Sequence, residues 1–226
     1  VLVSNSFLAG PFRDLQRVRF QGRLAINGLR AYAPSPASNI ALMFALTAFA
    51  ENQIGESFCN GIPFSDSNAD GGVITYGNPV TVDSAFKRAI NNADSALLNN
   101  GGTDVARMTS LAAVVKARAL LNRGLYSAAG TAVAAVPTGF TYTVTFSLTT
   151  RDNQNWALNT SAKRYVLSDL EGGNGLNFRT ALDPRIPSTG SGKAFDSGTD
   201  WFATTIWARS DSVIVASGIE ARLIEA

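Results

Sequence analysis

The sequence predicts a mainly helical protein: a scaffold of antiparallel helix pairs, then a loop-rich segment containing a few short strands. Three observations carry that expectation. Apolar residues recur at intervals of three and four through most of residues 1–137, and Gly, Asn and Pro fall where those stretches should end. After Pro137 the period switches to two, then gives way to Gly, Asn, Asp and Ser. The expected divisions are 1–137 for the helical scaffold, 138–218 for a loop- and strand-rich segment suited to carrying a ligand, and 219–226 for the start of another scaffold helix.

Over residues 12–33, Phe12, Leu15, Val18, Ala25, Ile26, Leu29 and Tyr32 share one helical face, with Arg13, Arg17, Arg23 and Arg30 mostly off it. Pro34 and Pro36 end that helix. A second helix over 37–58 uses Ile40, Met43, Phe44, Leu46, Thr47, Ala50, Ile54 and Phe58, with polar groups only at its far end. That predicts burial on most sides. Residues 59–80 form a loop long enough to need either a task or packing on itself. Thr81 reads as the N-cap of a third helix with Asp83 in its first turn, and the run from Asn99 to Gly102 stops it. A fourth helix over 105–123 ends before Gly124, and an alanine-rich fifth over 126–136 ends at Pro137.

Phe140 to Thr149 alternates large apolar with hydroxyl residues and predicts a half-buried strand. Residues 150–200 read as loops with short elements, and 202–215 as one or two strands. Phe44, Phe49, Phe58 and Phe86 lie on helical faces and are expected in the core. Val1 is not an initiator, and the run from Ile219 to Ala226 stops without a cap. The expectation is an internal piece, or the ordered part, of a longer protein.

Composition narrows the chemistry. With no histidine, Ser-His-Asp and Cys-His catalysis and histidine-ligated zinc are excluded. A net charge of +2 without any Lys/Arg run excludes the electrostatic footprint of a nucleic-acid binder. No uncharged apolar stretch reaches the length of about twenty residues that a membrane span needs. The single cysteine, Cys59, has no internal disulfide partner and follows Phe58 at a helix end, so it is expected as a buried packing thiol.

Ala117, Gly124, Tyr126, Ala129 and Pro137 fall in the order of the tetratricopeptide pattern. Small residues would let the two helices approach, and the tyrosine would plug the corner. Longer strings extend the likeness. The run Phe58-Cys59-Asn60-Gly61-Ile62-Pro63-Phe64, the run Tyr76-Gly77-Asn78-Pro79-Val80-Thr81, and Arg107-Met108 followed by Ala112, Ala113, Lys116, Ala117, Leu120, Leu121, Gly124 and Tyr126 resemble successive motifs of the SusD/RagB family. Asp183-Pro184-Arg185 and the terminal helix from Ile219 to Ala226 resemble two more, in the same order. Cys59-Asn60 departs from that family's usual Gly-Asp pair.

The resemblance implies a non-enzymatic, glycan- or nutrient-binding lipoprotein of the outer membrane that serves a SusC-like, TonB-dependent transporter. Membrane attachment would come only through a lipid anchor that is not in this sequence. Two rivals remain open: a plain tetratricopeptide adaptor for a peptide or protein partner, and a glycoside hydrolase using carboxylates alone.

The local chemistry also stays two-sided. Asp66, Asn68 and Asp70 with Gly71 match the first half of an EF-hand loop, but Gly77 stands where a bidentate Glu is required. An Asx-rich turn competes with weak calcium binding there, and no other cofactor is implied. Asp169, Glu171 and Asp183 are the carboxylates available to a hydrolase. The run Gly172-Gly173-Asn174-Gly175 reads as a turn and lacks the Lys-Ser/Thr of a phosphate loop. Trp156, set among Asn153, Gln154 and other hydrogen-bonding residues, and Trp201 are the candidate ligand contacts. Sugar rings stack on aromatic faces while their hydroxyls bind polar neighbours. Packing roles compete at each of these, and at Trp207 in the same polar stretch.

Overall fold

The computed structural model describes residues 6–67, 73–170 and 173–226. The chain divides into two compact units, one of residues 1–142 with 216–226 and the other of residues 143–215.

The first unit is a stack of helices: α1 (Ser6–Tyr32), α2 (Ser38–Ser57), α3 (Val82–Leu98), α4 (Val105–Asn122), α5 (Tyr126–Val133) and α7 (Gly218–Glu225). The mainly helical, helix-pair fold expected from periodicity is the fold observed. Helix α1 begins about a turn and a half before the expected start, with Pro11 inside it. Pro11 is the sixth residue of α1 and has no N–H to donate, so the helix lacks one i→i−4 bond there. On its inner face Ile26 is buried, but Val18 is 40% and Tyr32 91% exposed, so the expected apolar stripe fails at those two residues. Helix α1 meets α2 closely at Gly22, where a Cβ would lie 2.3 Å from Thr47 Oγ1.

Helix α2 is buried on most sides, and of its far-end polar residues Glu51 and Asn52 are buried while Glu56 and Ser57 are exposed. Asn52 donates through Nδ2 to the Val115 carbonyl of α4 at 2.8 Å. Glu51, 1% exposed, accepts from Arg19 Nε at 3.1 Å, Arg88 Nε at 3.2 Å and Asn92 Nδ2 at 2.7 Å. One carboxylate thus ties α1, α2 and α3 together. Burial lowers the pKa of Arg19; Glu51 opposes that shift and Arg88 adds to it. Phe64 lies between the two cations, 4.6 Å from the Arg19 guanidinium and 4.7 Å from that of Arg88.

The 59–80 loop packs on itself. β1 (Ile62–Pro63) pairs antiparallel with β4 (Pro79–Val80), and β2 (Asp66–Ser67) with β3 (Ile74–Thr75). Ile62 and Phe64 join Ile54 and Ala85 in a small core of their own. Cys59 is exposed, which overturns its expected burial. Helix α2 closes with the Phe58 amide on the Ile54 carbonyl, and the chain leaves extended. Successive side chains then point apart: Phe58 turns onto Phe12, 5.1 Å away at 73°, and Cys59 faces water.

Thr81 caps α3 as expected, accepting from the Ser84 amide at 3.2 Å. At the α4–α5 corner Gly124 takes φ +72°, a left-handed turn that glycine accepts without cost. Ala117 and Ala129 are fully buried where the two helices approach. Tyr126 does not plug the corner and is 69% exposed. Helix α5 ends at Val133, three residues before the expected limit.

The scaffold resumes at α7. Its N-cap, Ser217, accepts from the Glu220 amide, and Gly218 lies so close to the Pro137 and Thr138 carbonyls that no side chain fits. Arg118 of α4 grips Glu220 through two bonds of 2.8 Å. Arg222 donates to the Val133 and Val136 carbonyls at the end of α5.

The second unit is built from loops and short elements. They include α6 (Gln154–Trp156), which runs on as a π-turn (Ala157–Ser161), and an antiparallel ribbon of β6 (Ser188–Thr189) with β7 (Ala203–Thr204). β5 (Thr141–Val144) pairs with β8 (Val213–Ser217). β5 ends five residues short of the expected strand, because Ser147 and Arg151 bridge across a turn.

Candidate functional site

In the second unit, several side chains are held by partners far along the chain. Asn153 caps α6: its Oδ1 accepts from the Asn155 amide at 2.8 Å. Its Nδ2 donates to the Asp211 carbonyl at 2.9 Å, and its own amide donates to the Arg209 carbonyl at 2.9 Å. The side chain is fully buried, with both polar atoms spent on the protein. Arg209 in turn pairs with Asp152 at 2.7 Å and stands over the Trp156 ring, 5.6 Å from its centroid. The turn at 207–211 is therefore fastened to the start of α6 by backbone, amide and ion pair together.

Trp201 is also committed to the fold. Its Nε1 donates to the Asn159 carbonyl at 2.9 Å, and Lys163 Nζ lies 4.4 Å from its ring centroid. A Cβ on Gly190 would come within 3.1 Å of Trp201 Cε3. Among the sequence-selected group, Trp156 is half-buried with Arg209 on one face, and Gln154 is exposed at the start of α6. Asn153 and Trp201 serve as braces in this arrangement.

Trp207 is half-buried, like Trp156 and Trp201. It borders a recess of about 490 Å³ with Ile206, Asp211, Ser212, Val213 and Ile214. Ile206 and Ile214 are 45% and 58% exposed, so the wall is apolar and open to water. Asp211 Oδ2 accepts from the Ala208 amide at 2.7 Å, which leaves Oδ1 without a protein partner among the described residues. An aromatic face, two aliphatic edges, a carboxylate oxygen and a serine hydroxyl suit a sugar ring, apolar on its faces and hydroxylated at its rim. The sequence carried one usable signal, a tryptophan entering a tight Ala208–Asp211 turn. The fastening of that turn to Asn153 spans more than fifty residues and was not legible.

Of the hydrolase candidates, Asp169 and Asp183 are each spent on closing a local turn. Asp169 Oδ1 accepts from the Arg179 and Thr180 amides at 2.8 and 3.1 Å. Burial pushes its pKa up, but those bonds outweigh it and hold the carboxyl below the ordinary range. Asp183 closes its own turn onto Arg185, with Arg185 Nη2 donating at 2.6 Å. Glu171 lies outside the described residues, as does Gly172 of the glycine run. Of the calcium candidates, Asn68 and Asp70 lie outside the described residues; Asp66 pairs with Arg23 of α1. Gly77, the twelfth loop position, lies against the Phe64 backbone, where a Cβ would sit 2.3 Å from the carbonyl oxygen.

Comparison with solved structures supplies the decisive likeness. The chain superposes on the crystal structure of a SusD/RagB family protein from Bacteroides thetaiotaomicron VPI-5482 with a TM-score of 0.70 over 96% of its length, at 14% identity. The fold is SusD-like. This chain spans 54% of that SusD/RagB structure, about half its length. No family model and no curated protein matches the sequence. At such low identity the SusD-like fold is carried by the order of helices, loops and ribbons, not by shared side chains.

Proposed function

We propose that this SusD-like chain belongs to a nutrient-binding protein of the SusD/RagB type, one that captures a glycan and hands it to a SusC-like, TonB-dependent transporter. The mechanism is binding and release, with no bond made or broken. The observation that carries this reading is the open recess at Trp207 on a chain of SusD-like fold. Trp207 stacks against one sugar ring, while Asp211 and Ser212 accept or donate to its hydroxyls. Trp156 is a secondary contact, with Gln154 at the edge. Asn153 and Trp201 hold the loops in place.

Among the described residues no helix is long and apolar enough to cross a membrane. Placement at the outer membrane would therefore rest on a lipid anchor elsewhere in the protein. Affinity electrophoresis against a panel of neutral oligosaccharides tests the reading. A retarded wild type and an unretarded Trp207→Ala protein that still unfolds cooperatively are expected. Equal retardation of the two, or shortening of the oligosaccharides during incubation, would overturn it.

A further inference from the structure

A second recess lies in the helical unit, far in sequence from Trp207. It has a volume of about 210 Å³ and is bounded by α1, α2, α3 and the start of β2. Among the described residues, four guanidinium groups, Arg19, Arg23, Arg30 and Arg88, line it against two carboxylates, Glu51 and Asp66, an excess of two positive charges. Glu51 has both oxygens covered, Oε1 by Arg19 and Arg88 and Oε2 by Asn92. Asp66 is paired with Arg23.

Arg30 meets no carboxylate among the described residues; its contacts are a 3.4 Å bond to Asn99 Oδ1 and the Phe44 ring at 5.4 Å. Arg88 donates through Nε alone, so its Nη groups are unspent there. Arg19 and Arg88 are each held by Glu51 and by the Phe64 ring. Guanidinium groups held in this way need little ordering to grip an oxyanion through paired N–H donors. A helix bundle needing only internal neutrality would match these cations with carboxylates.

From this charge imbalance in a preformed cavity we infer that the recess is a binding site for a small oxyanion, with Arg30 and Arg88 as its principal ligands. The volume admits a single tetrahedral oxyanion or one acidic monosaccharide, not an oligomer. The site is independent of the Trp207 recess and of the neutral-glycan reading placed there.

Isothermal titration calorimetry of the whole protein with sodium sulfate and, separately, with sodium glucuronate tests it, against sodium chloride of equal ionic strength. Saturable binding of at least one anion is expected. It should weaken about tenfold or more in Arg30→Gln, recover partly in Arg30→Lys, and weaken in Asn27→Asp, which adds a negative charge at the rim without removing a contact. Tighter sulfate binding would identify a free tetrahedral anion; tighter glucuronate binding, an acidic sugar. Absence of saturable binding by both anions, or affinities unchanged across Arg30→Gln and Asn27→Asp, would overturn the assignment. Asn27 is exposed on α1, so that variant keeps the test decisive even if the arginine change disturbs folding.

Discussion

The two units of this chain solve the same problem, holding a backbone in place, by different physical means. The helical unit buries alanines at its crossings and inserts charge where three helices meet. Ala41, Ala45, Ala48, Ala93, Ala112 and Ala117 are all fully buried, with Glu51 beside them. Small residues let helices approach closely, and the charge fixes which helices do so. The loop-rich unit has little such core. Its turns are closed by aspartates that accept backbone N–H groups, and cations lie over its rings at Trp156, Trp201, Phe195 and Phe202. The contrast shows how a chain can keep one part rigid by packing while another part leaves aromatic surface open at Trp207.

That contrast can be broken most forcefully at Glu51. Glu51→Ala strands Arg19 in a buried site, and removing one partner of a buried ion pair costs about 3–5 kcal/mol. Denaturant unfolding should show that loss, with amides of α1, α2 and α3 exchanging fastest. A loss under 1 kcal/mol would mean that packing alone positions these helices. Next in size, Asn153→Ala deletes an N-cap and the amide bond to the Asp211 carbonyl. A lost cap and a buried group left unpaired cost about 1–3 kcal/mol together. Exchange at 153–161 and 207–212 should rise while exchange in α4 stays unchanged.

Trp207→Ala should lower the thermal midpoint less than Trp201→Ala, because the half-buried Trp207 makes no side-chain hydrogen bond among the described residues. Its effect should fall on glycan retention. Trp201→Ala should show the reverse, lowering stability through the lost Asn159 bond while leaving the Trp207 recess its aromatic wall. A pair of variants with the opposite pattern would exchange the roles assigned here.

The smallest difference is in acid. Asp183, Asp196 and Asp200 are held below the ordinary carboxylate value of 3.8 chiefly by side-chain bonds, to Arg185, Thr199 and Lys193 respectively. Asp169 is lowered by its two backbone bonds. A carboxyl with a depressed folded-state pKa stabilises the fold above its unfolded value, and that contribution disappears as pH falls through the folded one. Among the described residues the helical unit has one such group, Asp83, held by Lys87 and Arg123. Protection from exchange, taken relative to the intrinsic rate at each pH, should therefore fall first in the loop-rich unit as pH drops below about 4, with no change between pH 7 and 5. Equal responses in both units would show that these turn aspartates carry no net stabilisation.

The helical half was legible because its signals are local. Thr81 capping α3, Gly124 in a left-handed corner and Pro137 after α5 each act within a few residues. What was not legible depended on partners far along the chain. Glu51 reads as a polar helix end, yet three of its donors converge from α1 and α3. Trp201 and Trp207 read alike, six residues apart in one polar stretch. The Asn159 carbonyl, 42 residues before Trp201, and Lys163 over its ring make Trp201 a brace, whereas Trp207 borders a recess. Cys59 was misplaced for the same reason, because the direction of a side chain past a helix end depends on where the chain turns next.

Hydrogen exchange followed with and without the retained oligosaccharide tests most directly the claim that the loop-rich unit carries the ligand. The account predicts protection gained at residues 206–214 and around α6, with the amides of α1 to α4 unchanged. Protection confined to the helices, with residues 206–214 exchanging as before, would contradict it.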